Sequence, residues 1–525
     1  MIKRITYQLY LLQLENYNLK RYLRLLSKAL FSPKKDMRQK LVWTPKLLAL
    51  TNLAFLLIAP ASFFYAISIG VESDLLSIFI FLLFLSLCVF FYPIFLIAAM
   101  LLLKLPETVV KRRIVASATA RMKKFPNLKV IGIAGSYGKT TMKEAIGAVL
   151  SEKFRVLKTP ENINTPLGIA KLIQSNLDDS TEVFIVEMGE YERGDIEEIC
   201  KMVRPEIGII TGINEAHLER MSSLENTVKA IFELAENILV RPLRQVHGKQ
   251  AHHGPGKIFM NADDELIVKN YKRFSISAPY FLIRANKKIM EPYSNAEAKK
   301  PEFYSAIGNE LCKYKIERIN FSENGAGYDF EVVAESNGST RSPQDGESLG
   351  EFHISLLGEY AIGTAIAGII VGQVFDMDIA DIKAGLWKIK SPKHRLELVP
   401  TTNGVTVIDD SYNGNPAGAL AAMEVLSKFE GQRKIYVTPG LVEMGQATER
   451  VHTELGQKLG RIADIAVLIK NSVTGYIMKG LESSGFNMKN MIVFESAVEA
   501  HAGLADILKP GDVVIFQNDW PDNYY

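Results

Sequence analysis

Cysteine is scarce in this 525-residue chain, which contains three: Cys88, Cys200 and Cys312. Their wide separation fits neither a zinc site nor a disulfide framework, and it indicates reduced thiols in a body that faces the cytoplasm. The charge is almost balanced, with 61 basic and 58 acidic residues, and 48% of the chain is hydrophobic. This composition excludes disordered and collagen-like classes. No basic stripe typical of a nucleic-acid-binding surface is present, so we expect no nucleic-acid partner.

Charged side chains are absent from two long stretches, residues 47–71 and 75–103. Each stretch exceeds the roughly 20 helical residues that are needed to cross a bilayer. Residues 47–103 are therefore predicted to form two transmembrane helices rather than core helices of a soluble domain. A cleavable signal peptide would start much closer to the N-terminus.

The flanking charges predict the orientation of this hairpin. Residues 1–46 carry eleven Lys or Arg and two acids, and basic residues also follow the second stretch, whereas the connecting loop contains Glu72 and Asp74. By the positive-inside rule, both flanks face the cytoplasm at the inner membrane. The basic segment 1–46 is amphipathic and either lies on anionic membrane lipid or packs on the protein. Residues 104–127 are expected to be a linker.

A phosphate-binding loop is predicted at residues 135–141. An apolar strand ends in the sequence GSYGKTT, and a helical pattern follows. Gly135 and Gly138 would let backbone N–H groups point at phosphate oxygens at the start of a helix. Lys139 would neutralise the β and γ phosphates of ATP, and Thr140 or Thr141 would bind Mg²⁺. Ser136 lies in the same loop and is included in the nucleotide site.

The rest of the chain alternates apolar strands with helical stretches, which is typical of parallel α/β sheets. The predicted fold class is α/β: a membrane helical hairpin, a phosphate-loop ATPase domain with a parallel sheet over residues 128–390, and a smaller doubly wound C-terminal domain over residues 391–525. We expect the active site in the cleft between the last two domains.

Several separated motifs resemble those of the Mur ligase family, most closely the branch that adds D-alanyl-D-alanine to the UDP-N-acetylmuramoyl-tripeptide precursor of peptidoglycan. The resemblance covers about Val130 to Phe516. The motifs are GSYGKTT from Gly135, NTPLG from Asn164, VEMGEYERGDI from Val186, TGINEAHLE from Thr211, NADD from Asn261, HRLE from His394, IDDSYNGNP from Ile408 and GDVV from Gly511.

The resemblance implies an ATP-dependent ligase that activates a carboxylate as an acyl-phosphate and lets an amine attack it. Its implied catalytic residues are Lys139, Glu187 and His217, and its Mg²⁺ ligands are Thr140, Glu187 and His217. Further implied nucleotide contacts are Asn261, Arg395, Asp410 and Asn413. Asn164, Thr165, Tyr412 and Asn415 would face the substrate, which is a cell-wall precursor together with an amino acid or dipeptide.

The sequence departs from the family at three places. A lysine that the family usually carbamylates as a metal ligand is replaced by Ile231, so a second metal site would need another ligand. Lys229 lies roughly 200° around the helix and is not expected to substitute, whereas a carboxylate such as Glu233 could. Tyr360 occupies a segment whose polar residues would contact the nucleotide, and it could stack on the base instead. The hairpin stands where the family has a domain that grips the uridine nucleotide, so the acceptor is either uridine-linked or lipid-linked.

Two rival functions remain open at this stage. A noncatalytic membrane scaffold could keep nucleotide binding and recruit protein partners in wall synthesis, and the Ile231 and Tyr360 replacements agree with it. An ATP-driven transporter is the weaker rival, since two spans offer little room for a pathway.

Overall fold

The computed structural model divides the chain into two compact units, of which the first ends at Arg113 and the second begins at Ile114. The residues that the structure describes are 2–15, 17–23, 26, 41–68, 79, 82–84, 86–87, 90–215, 218–221, 223–238, 245–246, 249–250, 256–261, 263–274, 280–283, 305–307, 310–322, 327–336, 347–358, 360–412, 414–442 and 444–518.

The described residues of the first unit are mostly helical. It contains α1 (Ile2–Leu14), α2 (Pro45–Ser68) and the start of α3 (Tyr92–Met122). Apolar side chains of these helices form one buried cluster, in which Leu9, Leu11 and Leu12 of α1 are almost completely buried. Gln13 fixes the chain before α2 through two hydrogen bonds with the backbone of Val42, of 2.7 and 2.9 Å. Of the two alternatives for the basic segment, the described part of α1 shows packing on protein.

The transmembrane hairpin is not confirmed. Among the described residues, only α3 is long and apolar enough to cross a membrane. Helix α2 covers most of the first uncharged stretch, but its side chains are described only as far as Ile58. Much of residues 75–91 in the second stretch lies outside the described residues. Helix α3 continues through residues 104–122, most of the segment that the sequence predicts as a linker.

A six-stranded parallel sheet forms the centre of the second unit, with the order β2-β3-β1-β4-β7-β8. Its strands are β1 (Lys129–Ala134), β2 (Val156–Lys158), β3 (Val183–Glu187), β4 (Ile207–Ile210), β7 (Lys257–Asn261) and β8 (Tyr280–Ile283), and β5 (Gln245–Val246) and β6 (Lys249–Gln250) form a separate pair. The helices of this part are α4 (Lys139–Leu150), α5 (Pro166–Asn176), α6 (Asp195–Val203), α7 (Leu218–Met221), α8 (Leu224–Glu236) and α9 (Glu265–Asn270).

Both faces of this sheet are buried, as a parallel sheet requires. One core cluster packs α5, α6 and α8 on one face, and a second cluster packs α4 on the other. The second cluster also includes α10 (Tyr360–Val374) and α11 (Ile379–Trp387).

An antiparallel sheet lies within the middle of the chain, where the sequence suggests hairpins or surface loops over residues 323–350. It comprises β9 (Ser305–Ile307), β10 (Glu310–Phe321), β11 (Tyr328–Ser336) and β12 (Glu347–Ile354), in the order β12-β11-β10-β9. Tyr328, Phe330 and Val332 alternate into the core of the middle domain, so one face of the sheet is buried.

The C-terminal part forms the second doubly wound sheet, in agreement with the predicted fold class. Its strands are β13 (Glu397–Val399), β14 (Thr406–Asp410), β15 (Lys434–Thr438), β16 (Ile465–Ile469), β17 (Met491–Phe494) and β18 (Val513–Gln517), in the order β13-β14-β18-β15-β16-β17. All neighbours are parallel except β13 and β14. Its helices are α12 (Pro416–Ser427), α13 (Thr448–Leu459), α14 (Thr474–Ser483) and α15 (Ala497–Ile507).

Strand register places the predicted catalytic segments side by side. Ile133, near the end of β1, pairs with Glu187 at the end of β3, and Ala134 pairs with Ile210 of β4. The carboxyl ends of these three strands therefore share one edge of the sheet, where ligands bind in open α/β folds.

Candidate active site

The loop between β1 and α4 has the backbone geometry that a phosphate loop needs. Gly135 has φ 146° and Gly138 has φ 77°, values that L side chains rarely adopt. A Cβ at Gly135 would also collide with the Thr211 hydroxyl and the backbone of Gly212. The backbone N–H of Ser136 donates to Gly212 O at 2.7 Å, which joins the loop to the end of β4.

The polar side chains of this loop are buried at the start of α4. Ser136, Thr140 and Thr141 are 8%, 7% and 5% exposed. Among the described residues, the Ser136 hydroxyl has no hydrogen-bond partner. Lys139 donates to Gly135 O and forms an ion pair with Glu190, with Nζ at 2.9 Å from Oε2. The loop therefore has the cation, the hydroxyls and the helix N-terminus that phosphate and Mg²⁺ would use.

Glu187 is held at the end of β3 by three neighbours. Its carboxylate lies 3.2 Å from the fully buried Nζ of Lys143 and accepts a long 3.4 Å hydrogen bond from Asn164 Nδ2. Its backbone N–H donates to the Thr159 hydroxyl at 3.0 Å. Carboxylate and hydroxyl oxygens are ligands that Mg²⁺ prefers, and strand register places Glu187 next to the end of β1 that leads into the loop. The residues present therefore fit this ion.

Asn164 and Thr165 differ in what they can offer a substrate. Asn164 accepts a hydrogen bond from the Tyr191 hydroxyl at 3.2 Å, which places it between Tyr191 and Glu187. The Thr165 hydroxyl caps the N-terminus of α5 by accepting from Gly168 N at 3.3 Å. Thr165 therefore has a local structural role, whether or not it also contacts a substrate.

Asn261, at the end of β7, is hydrogen-bonded to the residue that follows β4. Its Nδ2 donates to Thr211 O at 2.9 Å, and its Oδ1 accepts from Asp263 N at 3.0 Å. Close by, Asp264 accepts from the Tyr137 hydroxyl at 2.9 Å. Burial and the nearby Asp264 raise the pKa of Tyr137, so the phenol stays protonated as a donor.

Arg395 lies between two residues with left-handed backbones, His394 with φ 60° and Leu396 with φ 48°. Its guanidinium carbon is 5.0 Å from the centre of the Tyr412 ring, close enough for a cation–π contact. Asp410 accepts from Leu396 N at 3.1 Å. Burial raises the pKa of Asp410 to about 7, although this hydrogen bond and Arg395 act in the opposite direction.

Polar contacts join the C-terminal domain to the middle domain around these residues. Asn415 caps α12 by accepting from Gly418 N, and it also accepts from Asn214 Nδ2 at 2.8 Å. The Tyr412 hydroxyl donates to Asn162, two residues before Asn164.

A cavity of about 580 Å³ opens between the two domains. Its wall includes seven of the predicted site residues, which are Gly138, Thr141, Asn261, Arg395, Asp410, Tyr412 and Asn415, and also Tyr360. Lys139, Glu187 and Asn164 do not line this wall. Lys139 pairs with Glu190, whereas Glu187 contacts both Lys143 and Asn164. Seven predicted residues thus share the cavity wall, and these three belong to two separate groups of polar contacts. His217 and Asn413 lie outside the described residues.

The structure explains how the chain differs from the family pattern in α8. Ile231 is completely buried in the core of the middle domain. Lys229 points away from it and pairs with Glu225 on the surface. Glu233, a possible substitute ligand by sequence, accepts from Gly194 N at 2.9 Å and Glu197 N at 3.1 Å, so it caps α6 instead.

Sequence reasoning missed the roles of Glu190 and Lys143. Glu190 stands inside the quoted VEMGEYERGDI motif, and Lys143 follows Lys139 by one helical turn. That four-residue spacing on one helix face is the signal that could have revealed Lys143. Glu190 needed the fold, because its partner Lys139 is 51 residues away in the sequence.

Family comparison identifies both domains that form this cavity. Residues 133–372 match the model of the Mur ligase middle domain, and residues 394–517 match that of the Mur ligase, glutamate ligase domain. These two regions of the chain are Mur ligase domains. The resemblance seen in the sequence is confirmed at this level.

Two curated relatives of these Mur ligase domains are 25% and 26% identical to the chain. The UDP-N-acetylmuramoyl-tripeptide–D-alanyl-D-alanine ligase of Bacillus subtilis is 26% identical over 329 residues, which cover 62% of this chain and 59% of that protein. The enzyme of the same name from Escherichia coli is 25% identical over 358 residues, 67% of each chain. The chain thus spans three fifths to two thirds of the length of these relatives.

Solved structures show the same Mur ligase fold. MurF from Acinetobacter baumannii has a TM-score of 0.59 at 21% identity and matches 79% of this chain and 78% of its own. The MurF ligase from Thermotoga maritima in complex with ADP has a TM-score of 0.57 at 21% identity, with 78% and 80% covered.

Proposed function

We propose that the chain is an ATP- and Mg²⁺-dependent peptide ligase that adds D-alanyl-D-alanine to a peptidoglycan peptide precursor. The observation that carries this proposal is the cavity between the two Mur ligase domains, walled by the phosphate loop on one side and by Arg395 and Asp410 on the other. The names of the curated relatives support the choice of dipeptide and precursor.

The reaction consists of two bond exchanges. A precursor carboxylate oxygen attacks the γ-phosphorus of ATP, the bond to the β-phosphate oxygen breaks, and ADP leaves. The amine of the dipeptide then attacks the acyl carbon, an amide forms, phosphate departs and the amine releases a proton. Neither exchange needs a covalent protein intermediate, so positioning and charge neutralisation are the main requirements on the protein.

The residues of the site meet these requirements. Lys139 would neutralise phosphate charge after leaving Glu190, and the loop N–H groups at the start of α4 would bind phosphate oxygens. Thr140 and Glu187 would hold Mg²⁺, which supplies further charge neutralisation when bound. Arg395, at the cavity wall beside Tyr412, would bind the nucleotide from the C-terminal domain.

Water must be kept from the acyl-phosphate, since hydrolysis would waste ATP. The Asn214–Asn415 and Asn162–Tyr412 hydrogen bonds and the Arg450–Glu215 ion pair join the two domains. All three are polar contacts between side chains that can break and form again, as opening for substrate entry requires.

Product analysis tests the proposal. The purified chain should convert ATP, D-alanyl-D-alanine and a tripeptide precursor into ADP, phosphate and a pentapeptide that mass spectrometry detects. Lys139→Ala should abolish the product, whereas Lys171→Ala, an exposed lysine on α5, should leave it unchanged. Release of phosphate without amide product would contradict the proposal. Parallel reactions with uridine-linked and lipid-linked precursors would identify the acceptor.

We further propose that the ligase is attached to the cytoplasmic face of the inner membrane. Helix α3 carries large exposed apolar side chains, including Leu101, Leu102 and Leu105. Only 22% of its most apolar 18-residue segment is buried. Basic residues flank the uncharged stretches, which favours a cytoplasmic catalytic body. The protein should remain in the membrane pellet after a high-salt wash, and protease should digest its C-terminal domain only after cells are opened. Recovery in the soluble fraction would contradict the attachment.

A noncatalytic scaffold that recruits wall-synthesis proteins is the second candidate. The observation that favours it is Ile231, which is buried where the family resemblance implies a carbamylated lysine. If the chain is a scaffold, the Lys139→Ala variant should restore normal wall growth in cells that lack the gene for this chain, as well as the parent chain does. Failure of Lys139→Ala to restore growth would exclude the scaffold function.

A further inference from the structure

Glu190 is a buried carboxylate at the phosphate loop that the proposed reaction does not yet use. It follows β3 by three residues, and 3% of its side chain is exposed. Its two oxygens lie 2.9 and 3.2 Å from the same atom, Nζ of Lys139. In this arrangement, each side chain neutralises the other.

Nucleotide binding would break this arrangement. The phosphate-loop lysine is the group that pairs with the β and γ phosphates, so Lys139 has to turn from Glu190 toward them. A buried carboxylate that loses its counter-charge is strongly unfavourable unless another cation replaces it. Lys143, the next lysine on the same face of α4, is already placed between Glu187 and Glu144, at 3.2 and 3.6 Å.

The replacement cation is therefore expected to arrive with the nucleotide. The family resemblance implies a carbamylated lysine on α8 as a metal ligand. The described residues of α8 offer no anionic ligand there, because Ile231 is in the core and Glu233 caps α6. Glu187 ends β3 beside the end of β1, and Glu190 contacts Lys139 at the start of α4. In the loop that connects β1 to α4, the Ser136 hydroxyl is buried without a hydrogen-bond partner among the described residues.

We propose that Glu190 is a ligand for a nucleotide-bound divalent cation and exchanges Lys139 for that cation when ATP or ADP binds. The inference rests on the nucleotide site of the proposed function. It places an anionic cation ligand in the loop that follows β3, whereas the family resemblance implies one on α8. Carboxylate oxygens are suitable ligands for Mg²⁺ and Mn²⁺.

Calorimetric titration of the full chain with ADP, in EDTA and in Mg²⁺, tests the exchange. In EDTA, Glu190→Gln should bind ADP about tenfold more tightly than the parent, because Lys139 no longer has to leave a charged partner. In Mg²⁺ the order should reverse, since the variant loses a cation ligand. Glu192→Gln, which removes an exposed charge two residues away, is the matched control and should match the parent in both conditions.

A second measurement follows the cation itself. Electron paramagnetic resonance of Mn²⁺ with ADP should show at least tenfold weaker Mn²⁺ binding in Glu190→Gln than in the parent. Glu190→Asp keeps the carboxylate and should retain part of the Mn²⁺ affinity, and melting curves should show that all variants are folded.

The outcomes are separable. If Glu190→Gln tightens ADP binding by the same factor in EDTA and in Mg²⁺, Glu190 is only a counter-ion for Lys139 and the inference is wrong. Unchanged ADP and Mn²⁺ binding in the variant would also overturn it. If the parent binds no ADP in either condition, the proposed function fails first, and the inference fails with it.

Discussion

The ammonium group of Lys143 lies 3.2 Å from Oε2 of Glu187, and the lysine side chain is completely buried. This ion pair connects α4 to the end of β3 directly behind the phosphate loop. A buried charge left without its partner destabilises a fold much more than loss of a surface pair does.

Lys143→Met should therefore lower the free energy of unfolding by about 3 kcal/mol, measured by urea denaturation. Lys158→Met is the matched control, because Lys158 contacts Glu144 from a position that is 41% exposed, and its loss should cost less than about 1 kcal/mol. Combining Lys143→Met with Glu187→Gln should recover part of the loss, since no unpaired charge then remains at Glu187. Additive effects of the two changes would contradict the pairing.

Tyr360 should contribute to nucleotide affinity through its ring. Because stacking of a base on an aromatic ring is worth about 1–3 kcal/mol, Tyr360→Ala should weaken ADP binding by roughly tenfold or more, whereas Tyr360→Phe should change it little. Trp387→Ala, at an exposed aromatic residue outside the cavity wall, is the control. Equal affinities of the Ala and Phe variants, measured by calorimetry, would show that the ring does not contact the base.

Glu233 should act on stability and not on metal binding. It accepts two backbone hydrogen bonds at the start of α6, so Glu233→Ala should lower the free energy of unfolding by about 1–2 kcal/mol. The Mg²⁺ concentration that gives half-maximal ADP binding should not change. A large shift in that concentration would instead restore Glu233 as a metal ligand. Glu236 lies about one helical turn further along α8, and its side chain is exposed. The Glu236→Ala variant is therefore the control for stability.

Asp410 should make the fold less stable as the pH rises. Burial raises its pKa from the ordinary value of 3.8 to about 7, so the folded chain holds a proton that the unfolded chain has lost between these pH values. The contribution of Asp410 to the free energy of unfolding is fully present below about pH 4, and it is lost as the pH rises through about 7. Asp410→Asn removes the titrating group, so its melting temperature relative to the parent should be higher at pH 8 than at pH 5.

Asp512 provides the contrast of opposite sign. Hydrogen bonds from Arg433 lower the pKa of Asp512, so its stabilisation is present above the ordinary pKa and is lost as the pH falls through the folded value. Asp512→Asn should therefore melt below the parent at pH 7, and the difference should shrink in acid. The same trend in both variants would show that the two carboxyl groups do not titrate as described.

Local sequence was sufficient for the strand, glycine turn and helix of the predicted phosphate loop, and for both α/β sheets. The strand, glycine and helix pattern around Gly135 and Lys139 is contiguous, and apolar strands alternate with helices through most of the second unit. Arg395 and Asp410 came from the family resemblance, and the structure places both on the cavity wall.

Features that depend on distant partners were not predictable in this way. Glu190 reads as one more acid in a polar motif until the fold brings Lys139 to it. The antiparallel strands around Tyr328 are interrupted by polar segments, which resemble loops when their buried partner helices are unknown. In the sequence Glu233 resembles an available ligand, because the backbone N–H groups that it caps belong to a different helix.

The buried position of Ile231 has a consequence for the conditions that the proposed ligation requires. A lysine carbamate forms reversibly from dissolved carbon dioxide, so an enzyme that needs one depends on the bicarbonate in its surroundings. An isoleucine side chain packed in the core has no amine that could react. The proposed ligation should therefore proceed at the same rate in degassed buffer as in bicarbonate.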